Sequence, residues 1–215
     1  MHTIFKPQHG FTLIEMAIVL VIVGLLVAGL LLPLSAQIDQ RNYNETQREL
    51  QDIREALIGF ALSNAAADGR PYLPCPDTNG DGFEDRVGNA CVNPPVGGLP
   101  WATLGLARLD RWGNAYLYRV TAAFANSAAG FNLTTARDIQ VRNAAGGAVI
   151  AANVPAVIVS KGKTGAGAGA DEQENSDGDT DFVDHTQVAN TYDDAVAWLP
   201  TAILFNRMVM AGRLP

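Results

Sequence analysis

The chain opens with two hydrophobic patterns that follow one another without a gap. Residues 16–34 are uncharged and almost wholly apolar. At about 1.5 Å per residue, a helix of that length approaches the roughly 30 Å hydrocarbon core of a bilayer. Beyond this run, Tyr43, Leu50, Ile53, Leu57 and Phe60 recur at steps of seven, three, four and three, with Gln, Asn, Arg and Glu filling the other positions. That spacing draws one apolar stripe along a helix. The two patterns together predict a helix from Phe11 to about Asn64, on the order of 80 Å if continuous. Residues 64–69 end it, and Pro71 and Pro74 keep it from resuming. Its first half calls for lipid or other helices, and its second half for a domain to pack on.

From residue 69 the pattern becomes β-rich and loop-rich. Residues 116–121 and 156–160 carry the aromatic and β-branched content of strands, with weaker candidates at 139–142, 149–152 and 195–199. Residues 201–211 have helical spacing through Leu204, Met208 and Ala211, a short terminal strand being the alternative. The predicted class is α+β: a long N-terminal helix packed on an antiparallel sheet in one domain, residues 69–215. No internal repeat of fixed period is present.

One charge breaks the apolar region. Glu15 lies within the otherwise uncharged stretch 11–34, just after Gly10-Phe11-Thr12-Leu13-Ile14. Carboxylates inside membrane segments are rare and usually have a dedicated partner. A cleaved secretory signal has a shorter apolar core, about 7 to 15 residues, and Leu34-Ser35-Ala36 is a poor cleavage site. An uncleaved anchor accounts for the length but not for the acid.

Gly10-Phe11-Thr12-Leu13-Ile14-Glu15 followed by the apolar run closely resembles the processing site of type IV pilins and type II secretion pseudopilins. The resemblance implies a pilin-like fold and cleavage between Gly10 and Phe11 by a prepilin peptidase that also methylates Phe11. Residues 1–10 are then a leader, with Lys6 as its cytoplasmic charge. Residues 11–36 form the transmembrane and assembly half of the helix, and 37–68 the amphipathic half. The resemblance also gives Glu15 its partner, the free ammonium of a neighbouring subunit, since a paired carboxylate is tolerable where an isolated one is costly. Gly24 falls where such helices often carry glycine, and Pro33 one residue later than the commonest proline position. Lys6 before the span, against mixed charges after it, favours a cytoplasmic N-terminus and a periplasmic domain. The partners implied are other pilin or pseudopilin subunits, the peptidase, an inner-membrane assembly platform and the bacterial inner membrane.

A formal net charge of −7 argues against nucleic acid, whose phosphates require a basic footprint. The acids are concentrated: Asp171, Glu172, Glu174, Asp177, Asp179, Asp181, Asp184, Asp193 and Asp194 share a stretch without Lys or Arg. Such a run repels itself unless it binds a cation or stays solvated. Asp177, Asp179 and Asp181 alternate on a Gly-containing loop, which suits a hard cation such as Ca²⁺ better than zinc. Asp77-Thr78-Asn79-Gly80-Asp81-Gly82 opens like an EF-hand loop, but Gly88 stands where the bidentate glutamate belongs, and the reading preferred is an Asx-rich turn.

A second resemblance bears on these acids. Asp110-Arg111-Trp112-Gly113-Asn114 looks like the Asp-Pro-Trp-Gly-Asn segment of major pseudopilins, with Arg111 in place of proline. Ser160-Lys161-Gly162, a Gly-rich stretch and Asp193-Asp194 before Trp198 resemble the loop in which those proteins bind calcium. This implies Asp193 and Asp194 as Ca²⁺ ligands, with loop carbonyls and Asp177, Asp179 or Asp181 completing the shell. The stretch from residue 171 to 190 and the region of Cys75 and Cys91 look like additions to that pattern.

Cys75 and Cys91 are the chain's two cysteines. In a periplasmic location they read as a disulfide worth roughly 3 kcal/mol in the loop-entropy model. Zinc is the alternative, with His185 the one histidine beyond the leader. No enzyme is expected: Gly165-Ala166-Gly167-Ala168-Gly169 is followed by acids and not by an amphipathic helix, and no nucleophile elbow accompanies His185. The function expected is a pseudopilin or minor pilin of a type II secretion or type IV pilus filament. The alternatives are a major pilin of an adhesive or motility pilus, and a single-span periplasmic calcium-binding protein that never polymerises.

Overall fold

A computed structural model describes residues 10–165, 167–188 and 191–215, excluding the side chains of residues 28–36. The expected leader, residues 1–9 with Lys6, lies outside the described residues. The chain divides into two compact units, Met1–Arg41 and Asn42–Pro215. Helix α1 (Leu13–Ser63) begins in the first and ends in the second, and it runs without interruption through Pro33.

In the first unit Leu13, Ile14, Met16, Val19 and Ile22 fall on different faces of α1 and are all exposed. A helix that is apolar all round needs lipid or other helices to cover it. Among the described residues no helix is long and apolar enough to cross a membrane, and residues 28–34 of the expected span belong to the side chains left out.

In the second unit the stripe is buried as its period requires. Leu50, Ile53, Leu57, Ile58 and Ala61 pack against Tyr116, Tyr118, Val120, Ile158 and Ala197. Tyr43 and Phe60, the outer members of the predicted stripe, are only partly buried. The helix stops where Asn64 donates both its backbone N–H and its side-chain amide to the Phe60 carbonyl.

Two sheets follow. Strands β3 (Val96–Gly98), β4 (Leu117–Val120), β7 (Ala156–Ser160) and β9 (Ala195–Trp198) form an antiparallel sheet in the order β3-β4-β7-β9. Strands β5 (Ile139–Arg142), β6 (Val149–Val154) and β8 (Asp181–Val183) form a second in the order β6-β5-β8, in which β5 and β8 run parallel. All five residues of β7 are buried, and they divide by alternation. Ala156 and Ile158 join the core beneath α1, while Val157 and Val159 join a second core with Ile139, Val141, Phe182 and Val196. The first sheet is thus held between the helix and the second sheet, which is why β7 reads as a continuous apolar run.

The α+β class and the antiparallel sheet on the helix agree with the sequence reading; the parallel β5/β8 pair adds to it. The terminal segment is helix α4 (Thr201–Met210), with Leu204 and Met208 buried, and not a strand. Three-residue β3 and β8, the β1 (Arg86–Val87) and β2 (Ala90–Cys91) hairpin and helices α2 (Trp101–Leu104) and α3 (Ala170–Glu174) go beyond the sequence reading. Elements this short carry no measurable hydrophobic period. Cys75 and Cys91 form a disulfide, closing the loop that contains β1. In the Asp77 loop one carboxylate accepts from the backbone N–H groups of Asn79, Gly80 and Gly82, which is an Asx-type turn.

The register of β7 and β9 fixes the site described next. Ser160 pairs with Ala195, so residues 161–194 leave and re-enter the sheet at adjacent points. That excursion carries α3 and β8, and Gly162, Asp193 and Asp194 stand at its neck.

Candidate functional site

Two places carry the chemistry that the sequence singled out. At the start of the first unit, Gly10, Phe11 and Thr12 are non-helical, and Phe11 is 82% exposed. A peptide bond there is open to a protease, as a helical one is not. Thr12 caps α1. Its Oγ1 accepts from the Glu15 N–H at 3.3 Å, and Glu15 Oε2 accepts from the Thr12 N–H at 2.9 Å and from its hydroxyl at 2.9 Å. This reciprocal pair is a capping box, which satisfies two of the helix's orphan donors. Glu15 therefore has a job within its own chain, and the Thr-x-x-Glu spacing was its signal in the sequence.

The acidic stretch resolves into two groups. Glu172, Asp193 and Asp194 each place one oxygen within 4.8 Å of the others, and so do Glu174, Asp179 and Asp181. Asp177 belongs to neither group; its carboxylate accepts from the Asp179 N–H. Among the described residues, Asp177, Asp179 and Asp181 thus stand apart from the group formed by Asp193 and Asp194. β8 draws Asp181 away to pair with Arg142 at 2.9 Å, on the second sheet.

The neck group is the more enclosed. Glu172 and Asp194 are each 3% exposed. Asp194 accepts from the Asn175 amide at 2.9 Å, and Asn175 also bonds the N–H and carbonyl of Val183. Burial, with Glu172 and Asp193 adding their repulsion against the Asn175 hydrogen bond, pushes the Asp194 carboxyl up to about 7. Asp193 takes bonds from the backbone and hydroxyl of Thr164, and its own N–H donates to Glu172. A Cβ on Gly162 would overlap Asp193, one on Gly167 would overlap the Glu172 carboxylate, and one on Gly169 the Thr191 carbonyl. Glycine at these positions lets the backbone close around the acids.

Residues 5–31 match the family model described as the prokaryotic N-terminal methylation motif. Over 116 residues, 53% of this chain, it is 31% identical to the type II secretion system core protein G of Pseudomonas aeruginosa, covering 74% of that protein. The chain belongs to the type II secretion core protein G family, the pseudopilins. It is a structural subunit of the pilin type. No solved structure matches it.

In this pseudopilin the Asp110-Arg111-Trp112-Gly113-Asn114 segment supports the neck. Asp110 accepts from the Trp112 and Asn114 N–H groups and from the Ser160 hydroxyl at 2.6 Å, and the Asn114 amide donates to the Gly162 carbonyl at 2.6 Å. Arg111 reaches the other way, to Glu45 at 3.2 Å and Glu49 at 2.8 Å on α1. Glu49 also accepts from the Tyr116 hydroxyl, and that bond, after burial, keeps the phenol raised far above its ordinary range. Asn175, Thr164 and Glu172 are the residues that sequence reasoning passed over at the neck. Glu172 stands among the concentrated acids, but no local spacing joins it to Asp193.

Proposed function

We propose that this pseudopilin is a filament subunit of a type II secretion system. It is held in the bacterial inner membrane through residues 11–34, with its second unit in the periplasm. A prepilin peptidase cuts between Gly10 and Phe11 and methylates Phe11; an inner-membrane assembly platform then passes the subunit into a filament of pilin-type neighbours. The work is assembly and not catalysis. The observation that carries this reading is the set of apolar side chains exposed on every face of α1 between Leu13 and Val27, immediately after a non-helical Gly10-Phe11. Such a surface is stable only in lipid or in a helical bundle. Glu15 of one subunit pairs there with the Phe11 ammonium of the next, an arrangement favoured because an unpaired carboxylate in low dielectric is costly.

The same proposal includes calcium at the neck. Asp193 and Asp194, with carbonyls of the Gly-rich loop, are all-oxygen donors of the kind a hard cation takes, and the glycine clearances bring backbone close to them. Bound there, calcium would offset charge repulsion at the neck and stiffen the periplasmic unit.

Mass spectrometry of the mature protein tests the first part. N-methyl-Phe11 as the first residue is expected; an intact Met1, or cleavage near Ala36, would overturn it. Thermal melting of the full chain with calcium and with chelator tests the second. A protein that binds a ligand only when folded melts higher with that ligand present, and an unchanged midpoint would remove calcium from the reading.

A further inference from the structure

The ring of His185 is held in a way that a single protonation state satisfies. Its Nε2 stands 3.0 Å from Asp171 Oδ2 on α3, and its Nδ1 stands 2.7 Å from the Thr186 carbonyl oxygen. A carboxylate and a carbonyl accept hydrogen bonds and donate none. A neutral imidazole has one N–H, so one of the two oxygens would face a bare nitrogen lone pair. Turning the ring by half a revolution would set carbon atoms against both oxygens. The imidazolium, with two N–H groups, fits both. We infer that protonated His185 is a clasp that fastens α3 to the connection between β8 and β9, and that loss of the proton opens it.

The clasp joins segments that lie far apart along the chain. Asp171 belongs to the first turn of α3, and its other oxygen accepts from the Ala145 N–H at 2.7 Å, in the turn between β5 and β6. The face of the His185 ring lies on Tyr192, with centroids 3.8 Å apart and planes 27° from parallel. Tyr192 in turn donates its hydroxyl to the Val183 carbonyl at 2.7 Å, which anchors this platform to β8. A cation held over an aromatic face is attracted by the ring, and a neutral imidazole gains less there.

The charged and titratable groups around the ring come from three places. Asp171 faces it from α3, Asp184 lies beside it just after β8, and Tyr192 lies under it just before β9. Burial raises the Asp184 carboxyl, and the His185 charge acts against that rise. Burial first of all keeps the Tyr192 phenol far above its ordinary range, so the platform stays uncharged. Asp171 and Asp184 thus supply the negative charge that the imidazolium faces. Histidine exchanges its proton between about pH 5 and pH 8. Below that interval α3, the β5–β6 turn and the β8–β9 connection are joined through one ring; above it the ring keeps one of its two bonds. The hold on residues 161–194 thereby depends on acidity, and it does so without any cation at the neck.

NMR and hydrogen exchange of the full-length chain in detergent and chelator test the clasp. At about pH 5.5 the His185 ring should show two protonated nitrogens in a nitrogen–proton correlation spectrum. Between about pH 5.5 and pH 8 the α3 amides of the wild type, corrected for the intrinsic exchange rate, should lose about tenfold more protection than those of His185→Gln, whose side chain keeps its charge state throughout. Asp171→Asn, which retains an acceptor for the Ala145 N–H but not the charge, should behave like His185→Gln. Asp194 titrates in all three proteins, so the difference between them isolates His185. The spectrum needs no variant and decides even where a substitution unfolds the chain. One protonated ring nitrogen at about pH 5.5, or equal losses of protection in wild type and His185→Gln, would overturn the clasp.

Discussion

Glu15 caps its own helix, and in the proposed filament it also pairs with a neighbour's ammonium; charge separates the two roles. Its hydrogen bond to the Thr12 N–H needs an acceptor, which glutamine also supplies; pairing with an ammonium needs a negative charge. Glu15→Gln should therefore keep the N-terminal cap yet join filaments as poorly as Glu15→Ala. Thr12→Ala should lose about 0.5–2 kcal/mol of cap stability and still be incorporated. Quantifying each variant in sheared filaments against the membrane fraction checks this, and normal incorporation of Glu15→Gln would remove the intersubunit pair. Asp194 supplies a prediction of a different kind. Its carboxyl is pushed up to about 7 by burial first, whereas an unfolded aspartate titrates near 3.9. Between those values the folded chain keeps a proton that the unfolded chain has released, so without calcium stability falls as pH rises from about 4 to about 7. In chelator the melting temperature of the wild type should decline over that interval more steeply than that of Asp194→Asn. Equal slopes would show that Asp194 is not the group responsible.

Among the elements, α1 displays the difference between burial and surface pairing. Leu57 is fully buried against the sheet, while Arg111, half-exposed, pairs with Glu45 and Glu49 across the same junction. Leu57→Ala should cost about 2–5 kcal/mol, by lost burial and a cavity. Arg111→Ala should cost less than about 1 kcal/mol, because solvent screens the pair. Urea unfolding of the two variants checks the order. The same physics makes α1, β4, β5, β7 and β9 legible in the amino-acid sequence. Each is long enough, or buried enough on a face, to impose a period or an apolar run on its residues. β8 is Asp-Phe-Val inside an acidic stretch, and only its pairing with β5 makes it a strand. α3 is likewise too short to announce itself.

For the whole molecule, chain order and tertiary neighbourhood diverge most between residues 161 and 194. The motif proposed for cleavage at Gly10-Phe11, the position of Glu15, the apolar run and the buried stripe are local properties legible in the sequence by itself, because a helix brings together residues three and four apart. The sequence also held the disulfide, since two cysteines leave one pairing. What belongs with Asp193 and Asp194 was not local. The resemblance implied Asp177, Asp179 or Asp181 beside them as calcium ligands. The fold instead sends Asp181 to Arg142 on the second sheet and turns Glu172 inward on α3. Only the register of β7 with β9 and of β5 with β8 decided that, because hydrogen-bonded strands fix which distant segments become neighbours and a period read along one segment cannot.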